Sequence, residues 1–415
     1  MIGPAIEHYL LGLGVLLTVA IVTSRLSQLA RIPDVVGLLL AGMVIGRAGL
    51  GIVDFGASDG GRLLLVIGAA YILFRGGMAV SWSTIRPVAI TVILLATIGV
   101  LVTAAVTAVS VHIFFGLVPA AALLLAAVVA ATDPATVIPV LQNARVIPRL
   151  SQALIAEAAL NDATGAILTF TVLPFALGTS VASGPLHAFA WSAGIGILIG
   201  AVGGLLASWL IRERGWLAAY ASLLLLGLVI STYAAAEAVH ASGFMAVFLA
   251  GAVVGNLEYS RFAPHPALHF HTKHFLDTNA GLFRMLVFVL LGADIVPGAL
   301  GDFFLPAVLT TAVLVFVARP LAVLACAAPD RLARWRLTEL MFLGWSRETG
   351  VVPAALAGIV AAADPKVAAP LISVVTVAVI TTVVLQGSTA GLVGAALGLR
   401  EKEQSRPAPE APGTS

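Results

Sequence analysis

A chain of 415 residues, 60% hydrophobic and only 10% charged, with a mean hydropathy of +1.07, cannot be a soluble globule, whose charged share is about a quarter. It reads as an all-α polytopic membrane protein. The formal net charge of +2 says little about partners, because in such a chain the placement of charges matters more than their sum; no nucleic-acid partner is expected. One cysteine, Cys326, excludes a disulfide framework and a cysteine metal cluster.

Crossing the hydrocarbon takes about 20 mostly apolar residues, which predicts about 13 transmembrane helices. They fall near 9–29, 34–50, 62–80, 87–115, 118–142, 151–177, 186–211, 216–239, 242–257, 273–296, 303–328, 336–361 and 368–398. Met1 to Tyr9 lacks the basic start and small-residue cleavage site of a removable signal peptide, so the first run is expected to be retained.

Cytoplasmic loops collect Lys and Arg. With the N-terminus outside, the inner set holds Arg25, Arg31, Arg86, Arg145, Arg149, Arg212, Arg214, Arg261, Lys273, Arg331, Arg334, Arg336, Arg400, Lys402 and Arg406. The outer set holds only Arg47, Arg62 and Lys366. This bias and the odd span count together predict a multi-pass plasma (inner) membrane protein, N-terminus outside and C-terminus cytoplasmic. Arg75, Arg284, Arg319 and Arg347 fall in or near apolar runs. The first two are expected to snorkel or face a cavity, and the deeper Arg319 and Arg347 to have partners.

Between Tyr259 and His274 lie His265, His269, His271 and His274, with His240 upstream. Pro264 and Pro266 among them favour a solvated amphipathic connector over a metal or pH-sensing site. The membrane domain is assigned to 1–400. Residues 401–415, polar and Pro-rich, are expected to be a disordered cytoplasmic tail.

The fifth span carries Thr132-Asp133-Pro134 and Pro139. Proline has no N–H to give, so Pro134 frees the carbonyl of Ala130 and Pro139 that of Ala135. Free carbonyls and an acid at bilayer depth are tolerated only inside protein or beside a wet cavity, which points to an ion site. The sixth span reads Glu157-Ala158-Ala159-Leu160-Asn161-Asp162. Glu157 and Asn161 share a helical face, and Asp162 is turned by about another 100°. A carboxylate poised by burial and a nearby acid holds either a proton or a cation, the minimum chemistry for exchange. In the twelfth span Gly344-Trp345-Ser346-Arg347-Glu348-Thr349-Gly350-Val351-Val352-Pro353 makes a second break. Paired interrupted helices in matching positions of two halves point to a transporter site. Span order then gives two inverted six-helix halves linked by the seventh span. Either Arg347 or Arg319 would neutralise Glu157 as an interhelical staple.

These residues, with Ala318-Arg319-Pro320 and Ser242-Gly243-Phe244-Met245-Ala246, resemble over essentially the whole chain the monovalent cation/proton antiporters of the NhaP and NHE type. The resemblance implies the NhaA/NhaP-like fold, with helices five and twelve unwound and crossing at the bilayer middle. It implies a core built on 118–177 and 303–361 with neighbouring spans, a dimer domain from the remaining spans, and a homodimer. It also implies that Asp162 binds the ion and the proton, and that Thr132 and Asp133 complete or shape the site. Asn161, where electrogenic relatives carry a second Asp, goes with electroneutral one-for-one exchange. No cofactor is implied beyond the transported H⁺ and Na⁺, K⁺ or Li⁺. Arg75 stands where NhaP-like proteins usually have an acid, Ala158 lacks a hydroxyl some relatives place beside the ion, and Ser346–Gly350 replaces the usual Leu-Arg-Gly. These departures leave the choice of cation open.

Two other classes would use the same residues: a passive monovalent cation channel with the carboxylates as a selectivity ring, or an intramembrane aspartyl hydrolase with an Asp133/Asp162 dyad. The interrupted pair and a single binding acid favour a carrier. The missing Gly-x-Gly-Asp motif weighs against the hydrolase.

Overall fold

The structure is a computed structural model of the full chain, describing all residues except 1–3, 31–32, 54–57, 134–136, 138–139, 142–143, 180–183, 213–214, 258–265 and 401–415. Pro134, Pro139, the stretch from Tyr259 to His265, Arg31, Arg214, Lys402, Arg406 and the tail therefore lie outside the described residues, as does the side chain of His269.

Among the described residues the chain is helical apart from loops, breaks and one isolated bridge between Val146 and Arg400. Nine helices are long and apolar enough to span a bilayer, and four more apolar helices are shorter. In chain order they are α1 (Pro4–Ala30), α2 (Asp34–Ile45), α3 (Asp59–Ala79), α4 (Arg86–Phe115), α5 (Pro119–Ala130, helical again around Val140), α6 (Pro148–Ala176) and α7 (Pro185–Ile211). Then follow α8 (Ala218–Glu237), α9 (Gly243–Leu257), α10 (Pro266–Ala293), α11 (Leu300–Cys326), α12 (Leu337–Trp345 and, after a break, Val351–Ala363) and α13 (Pro365–Ala396). Each coincides with one expected span. The histidine-bearing connector is in fact the first turns of α10, where His271 and His274 sit.

The ends obey local chemistry. Gly116 closes α4 in the left-handed region, φ 66°, where its N–H reaches the His112 carbonyl. Ser58 caps α3 by accepting from the Gly61 N–H at 3.1 Å. Large apolar side chains such as Leu11, Leu198, Leu305 and Leu392 cover the outside of the bundle, as a lipid-facing surface requires.

Helices α1, α2, α3, α7, α8, α9 and α10 pack mainly on one another, as do α4, α5, α6, α11, α12 and α13. The groups meet chiefly where α3, α7, α9 and α10 reach α6 and α12. Packing also repeats: α1 on α2 matches α8 on α9, α2 on α10 matches α9 on α3, and α5 on α13 matches α12 on α6. Each pair becomes the other when seven is added to or taken from its helix numbers. Because successive spans alternate in direction and seven is odd, equivalent helices run oppositely. The two halves are thus inverted repeats with α7 between them, as span order predicts. Glycines let backbones approach at the matched crossings, Gly42 with Gly292 between α2 and α10, and Gly77 with Gly251 between α3 and α9.

The two arginines expected to snorkel or to face a cavity are paired with acids of α10 and α2. Arg75 bonds Asp277 through Nε at 2.8 Å, and Arg284 bonds Asp34 at 2.6 Å. Their partners lie 202 and 250 residues away in sequence, which is why the sequence alone suggests solvent.

Where α11 turns into α12, Asp330 ties three elements. Its carboxylate accepts from the Thr91 hydroxyl at 2.6 Å and from the N–H groups of Thr91, Leu332 and Ala333. Trp335 donates to the same hydroxyl at 2.8 Å and carries the Arg149 guanidinium 4.3 Å above its ring. Burial opposes ionisation of Asp330, but the Thr91 hydroxyl and the Ala333, Leu332 and Thr91 N–H groups outweigh it and hold the carboxyl below its ordinary range. A carboxyl with a lowered folded-state value stabilises above its unfolded value, and that contribution is lost as pH falls through the folded one. Asp330→Ala is therefore expected to cost on the order of 1–3 kcal/mol at neutral pH. Melting of purified protein in detergent checks this, with the gap to wild type closing on acidification.

Candidate ion-binding site

The two interrupted helices meet at their breaks. On α5 the regular hydrogen bonding stops at Ala130, Ala131 is extended, and Thr132 and Asp133 belong to no helix. On α12 it stops at Trp345 and resumes at Val351, with Pro353 in the first turn, where a missing N–H costs nothing. Each break supplies what the other lacks. Arg347 Nη2 donates to the carbonyls of Val129 at 2.5 Å and Ala130 at 2.8 Å, the negative end of the first half of α5. Asp133 Oδ2 accepts from the Val351 N–H at 3.1 Å, at the positive end of the second half of α12. The Asp133 N–H bonds the Glu348 carbonyl at 3.0 Å and stitches the breaks together. A side chain at Gly350 would run into the Asp133 carboxylate, so only glycine admits this crossing.

Helix α6 lies against that crossing, with Gly165 placed so that a Cβ would come 2.9 Å from Ala131 Cβ. Asn161 is the link: its Oδ1 accepts from the Thr132 N–H at 3.0 Å, and its Nδ2 donates to Thr132 Oγ1 at 2.7 Å and to Glu157 Oε1 at 3.2 Å. Glu157 and Asn161 thus do share a face. The open choice of partner for Glu157 resolves to Arg319 of α11, which grips it with both nitrogens at 2.6 and 2.8 Å and also bonds the Leu343 carbonyl at 2.9 Å. Arg347 goes to α5 instead.

Asp162 stands apart from this network. It is fully buried, and neither of its oxygens has a hydrogen-bond partner among the described residues. Asp133 is the charged group that acts on it. Two cavities reach α6 before and after it in sequence: one of about 550 Å³ touches Leu160 from the ends of α3 and α9, and the other, of about 410 Å³, touches Ile167 and Phe170 from the region of Tyr233, Glu237 and His240. At 1.5 Å per residue Leu160 and Ile167 lie roughly 3 Å and 8 Å from Asp162 along the helix axis, with Leu160 on the opposite face.

All seven residues singled out in sequence, Thr132, Asp133, Glu157, Asn161, Asp162, Arg319 and Arg347, are buried at this crossing. Sequence reasoning gave no role to α13, whose Thr382 and Gln386 fall in a π-helical stretch, Thr382–Gln386, and hold the α12 break. Thr382 Oγ1 accepts from the Thr349 N–H at 3.0 Å, and Gln386 bonds the Trp345 carbonyl. Two polar side chains four residues apart in an apolar span were the available signal.

Residues 14–395 match the family described as "Sodium/hydrogen exchanger, transmembrane". The chain belongs to that family. It is 33% identical over 356 residues to the K(+)/H(+) antiporter NhaP of Alkalimonas amylolytica, an alignment covering 85% of this chain and 60% of that protein. It is 30% identical over 360 residues to the Probable Na(+)/H(+) antiporter 2 of Methanocaldococcus jannaschii, covering 84% of this chain and 83% of the relative. The fold superimposes on the sodium proton antiporter MjNhaP1 of the same organism at pH 8 with a TM-score of 0.84 and 26% identity, over 94% of this chain and 99% of that one. The relatives are named as transporters rather than enzymes.

A buried pair broken on one side leaves an uncompensated charge. Glu157→Ala is expected to lose about 3–5 kcal/mol and to accumulate poorly in the membrane. Yield and melting temperature check it, and a variant that is fully stable yet inactive would overturn the staple role.

Proposed function

We propose that this protein exchanges a monovalent cation, Na⁺, K⁺ or Li⁺, for a proton across the plasma membrane, with Asp162 as the group both occupy in turn. The observation that carries this is the pair of unpartnered oxygens on a fully buried Asp162. A buried carboxylate without a partner must take positive charge from solution. The cavities that touch α6 at Leu160 and at Ile167, before and after Asp162 along the helix, support access from either side in turn.

In the cycle, deprotonated Asp162 receives the cation from one cavity, with the Thr132 segment and Asp133 shaping the site. The α4–α6 and α11–α13 group moves as a core against the rest, which would serve as the dimer domain of a homodimer. Protonation from the other side then displaces the cation. Glu157 is neutralised by Arg319 and position 161 is an amide, which leaves one exchanging charge and supports electroneutral one-for-one transport. The N-terminus would lie outside and the C-terminus in the cytoplasm. The names of the relatives divide between K⁺ and Na⁺, so the cation is a matter for assay.

Purified protein in liposomes should dissipate a pH gradient on addition of one of these cations, whatever the membrane potential, and Asp162→Asn should abolish it. Because the proton competes for the same oxygens, rates should fall on the acidic side. Exchange surviving in Asp162→Asn, or current driven by voltage alone, would overturn the proposal. Asp133→Asn keeps an acceptor for the Val351 N–H while removing the charge. It is expected to slow exchange about 10-fold or more, from loss of charge near the ion worth at least 1.4 kcal/mol, read in the same assay.

A further inference from the structure

Asp162 is not the only carboxylate left without a partner. Glu348, in the α12 break, is 1% exposed, and neither Oε1 nor Oε2 has a hydrogen-bond partner among the described residues. Ser346 to Gly350 belong to no helix, and within this break Arg347 Nη1 donates to Thr349 Oγ1 at 3.2 Å. Besides the Glu348 carboxylate, the orphaned side-chain oxygen of the break, among the described residues, is Ser346 Oγ.

Charge accounting makes this carboxylate conspicuous. The α5–α12 crossing buries two guanidinium groups, Arg319 and Arg347, against four carboxylates, Asp133, Glu157, Asp162 and Glu348. Arg319 is bound to Glu157, and Arg347 lies across the α5 carbonyls that precede Asp133. The charged groups acting on Glu348 are Asp133, itself an acid, and Arg319, already engaged, and its own backbone N–H is turned toward the carboxylate without reaching hydrogen-bond geometry. Two negative charges remain, and an unpaired charge is not kept in a dry interior. An alkali cation gives up its hydration shell only where several oxygens replace it. The break adds one further orphan oxygen, Ser346 Oγ, whereas a proton needs one lone pair.

We propose that Glu348 is a second proton-binding carboxyl of this protein, one that keeps its proton while Asp162 exchanges its own. The proton adds to Oε1 or Oε2 to give a neutral acid, taken from water on assembly of the break. The exchange count at Asp162 is unchanged. Only this last clause rests on the function proposed above.

Two measurements separate the claims. Infrared spectra of Asp162→Asn and of Asp162→Asn/Glu348→Gln, both assayed for intact fold by melting, isolate the Glu348 carboxyl by difference. The expected result is a protonated-carboxyl band at neutral pH that is indifferent to added Na⁺ or K⁺. Its absence, or its appearance only after alkali cations are removed, would make Glu348 ionised or a cation ligand and overturn the assignment. Proton release on cation binding, followed with an indicator dye, should be one per wild-type chain and one per Glu348→Gln chain. A fall from two to one would show that Glu348 gives up its proton and would overturn the claim that it is kept. If Asp162→Asn still exchanges ions, the transport reading fails while the infrared result stands.

Discussion

An interrupted helix inside a membrane leaves backbone carbonyls and N–H groups with no water to satisfy them, and everything at this site follows from how that debt is met. The two breaks are placed so that each carries the side chain the other needs. Arg347 on the α12 break covers the carbonyl end of α5, and Asp133 on the α5 break receives the first N–H of the resumed α12. Charge of the right sign meets each dipole end, so the crossing holds without solvent. Gly350 and Gly165 are small because the backbones must come this close.

Around that crossing the acids divide by their company. Glu157 is held by Arg319 from α11 and by Asn161 one turn along α6, and so behaves as part of the scaffold. Asn161 also pins the Thr132 segment with both ends of its amide. Its neighbour Asp162, turned off that face, receives none of these bonds. One helix thus presents a paired carboxylate, Glu157, and an unpartnered one, Asp162, five residues on and about 140° round the axis. Their surroundings, rather than the acid group they share, set the two apart.

Much of this was legible in the sequence, because a charge in an apolar run announces itself. Thr132, Asp133, Glu157, Asn161, Asp162, Arg319 and Arg347 stood out for that reason, and helix count and order followed from apolar length. Which arginine meets Glu157 was not legible, since it depends on the rotation of α11 and α12 about their axes. The same holds for Arg75 and Arg284, whose partners Asp277 and Asp34 are brought near only by the α2, α3 and α10 packing. The π-helical turns of α4, α11 and α13 leave no mark in composition. Glu348 was visible as a charge in the break, but its lack of a partner is a property of three dimensions alone.

The order of the Glu157–Arg319 pair along the chain matters to biosynthesis. The arginine is 162 residues behind the glutamate, so at about 5–20 residues per second α6 is made roughly 8–30 s before its partner exists. In that interval the Glu157 carboxyl has no arginine to meet, and Arg347, which covers the carbonyl end of α5, comes later still. The polar bonds of the first half are therefore completed only by the second, and the site closes as one of the last steps of assembly.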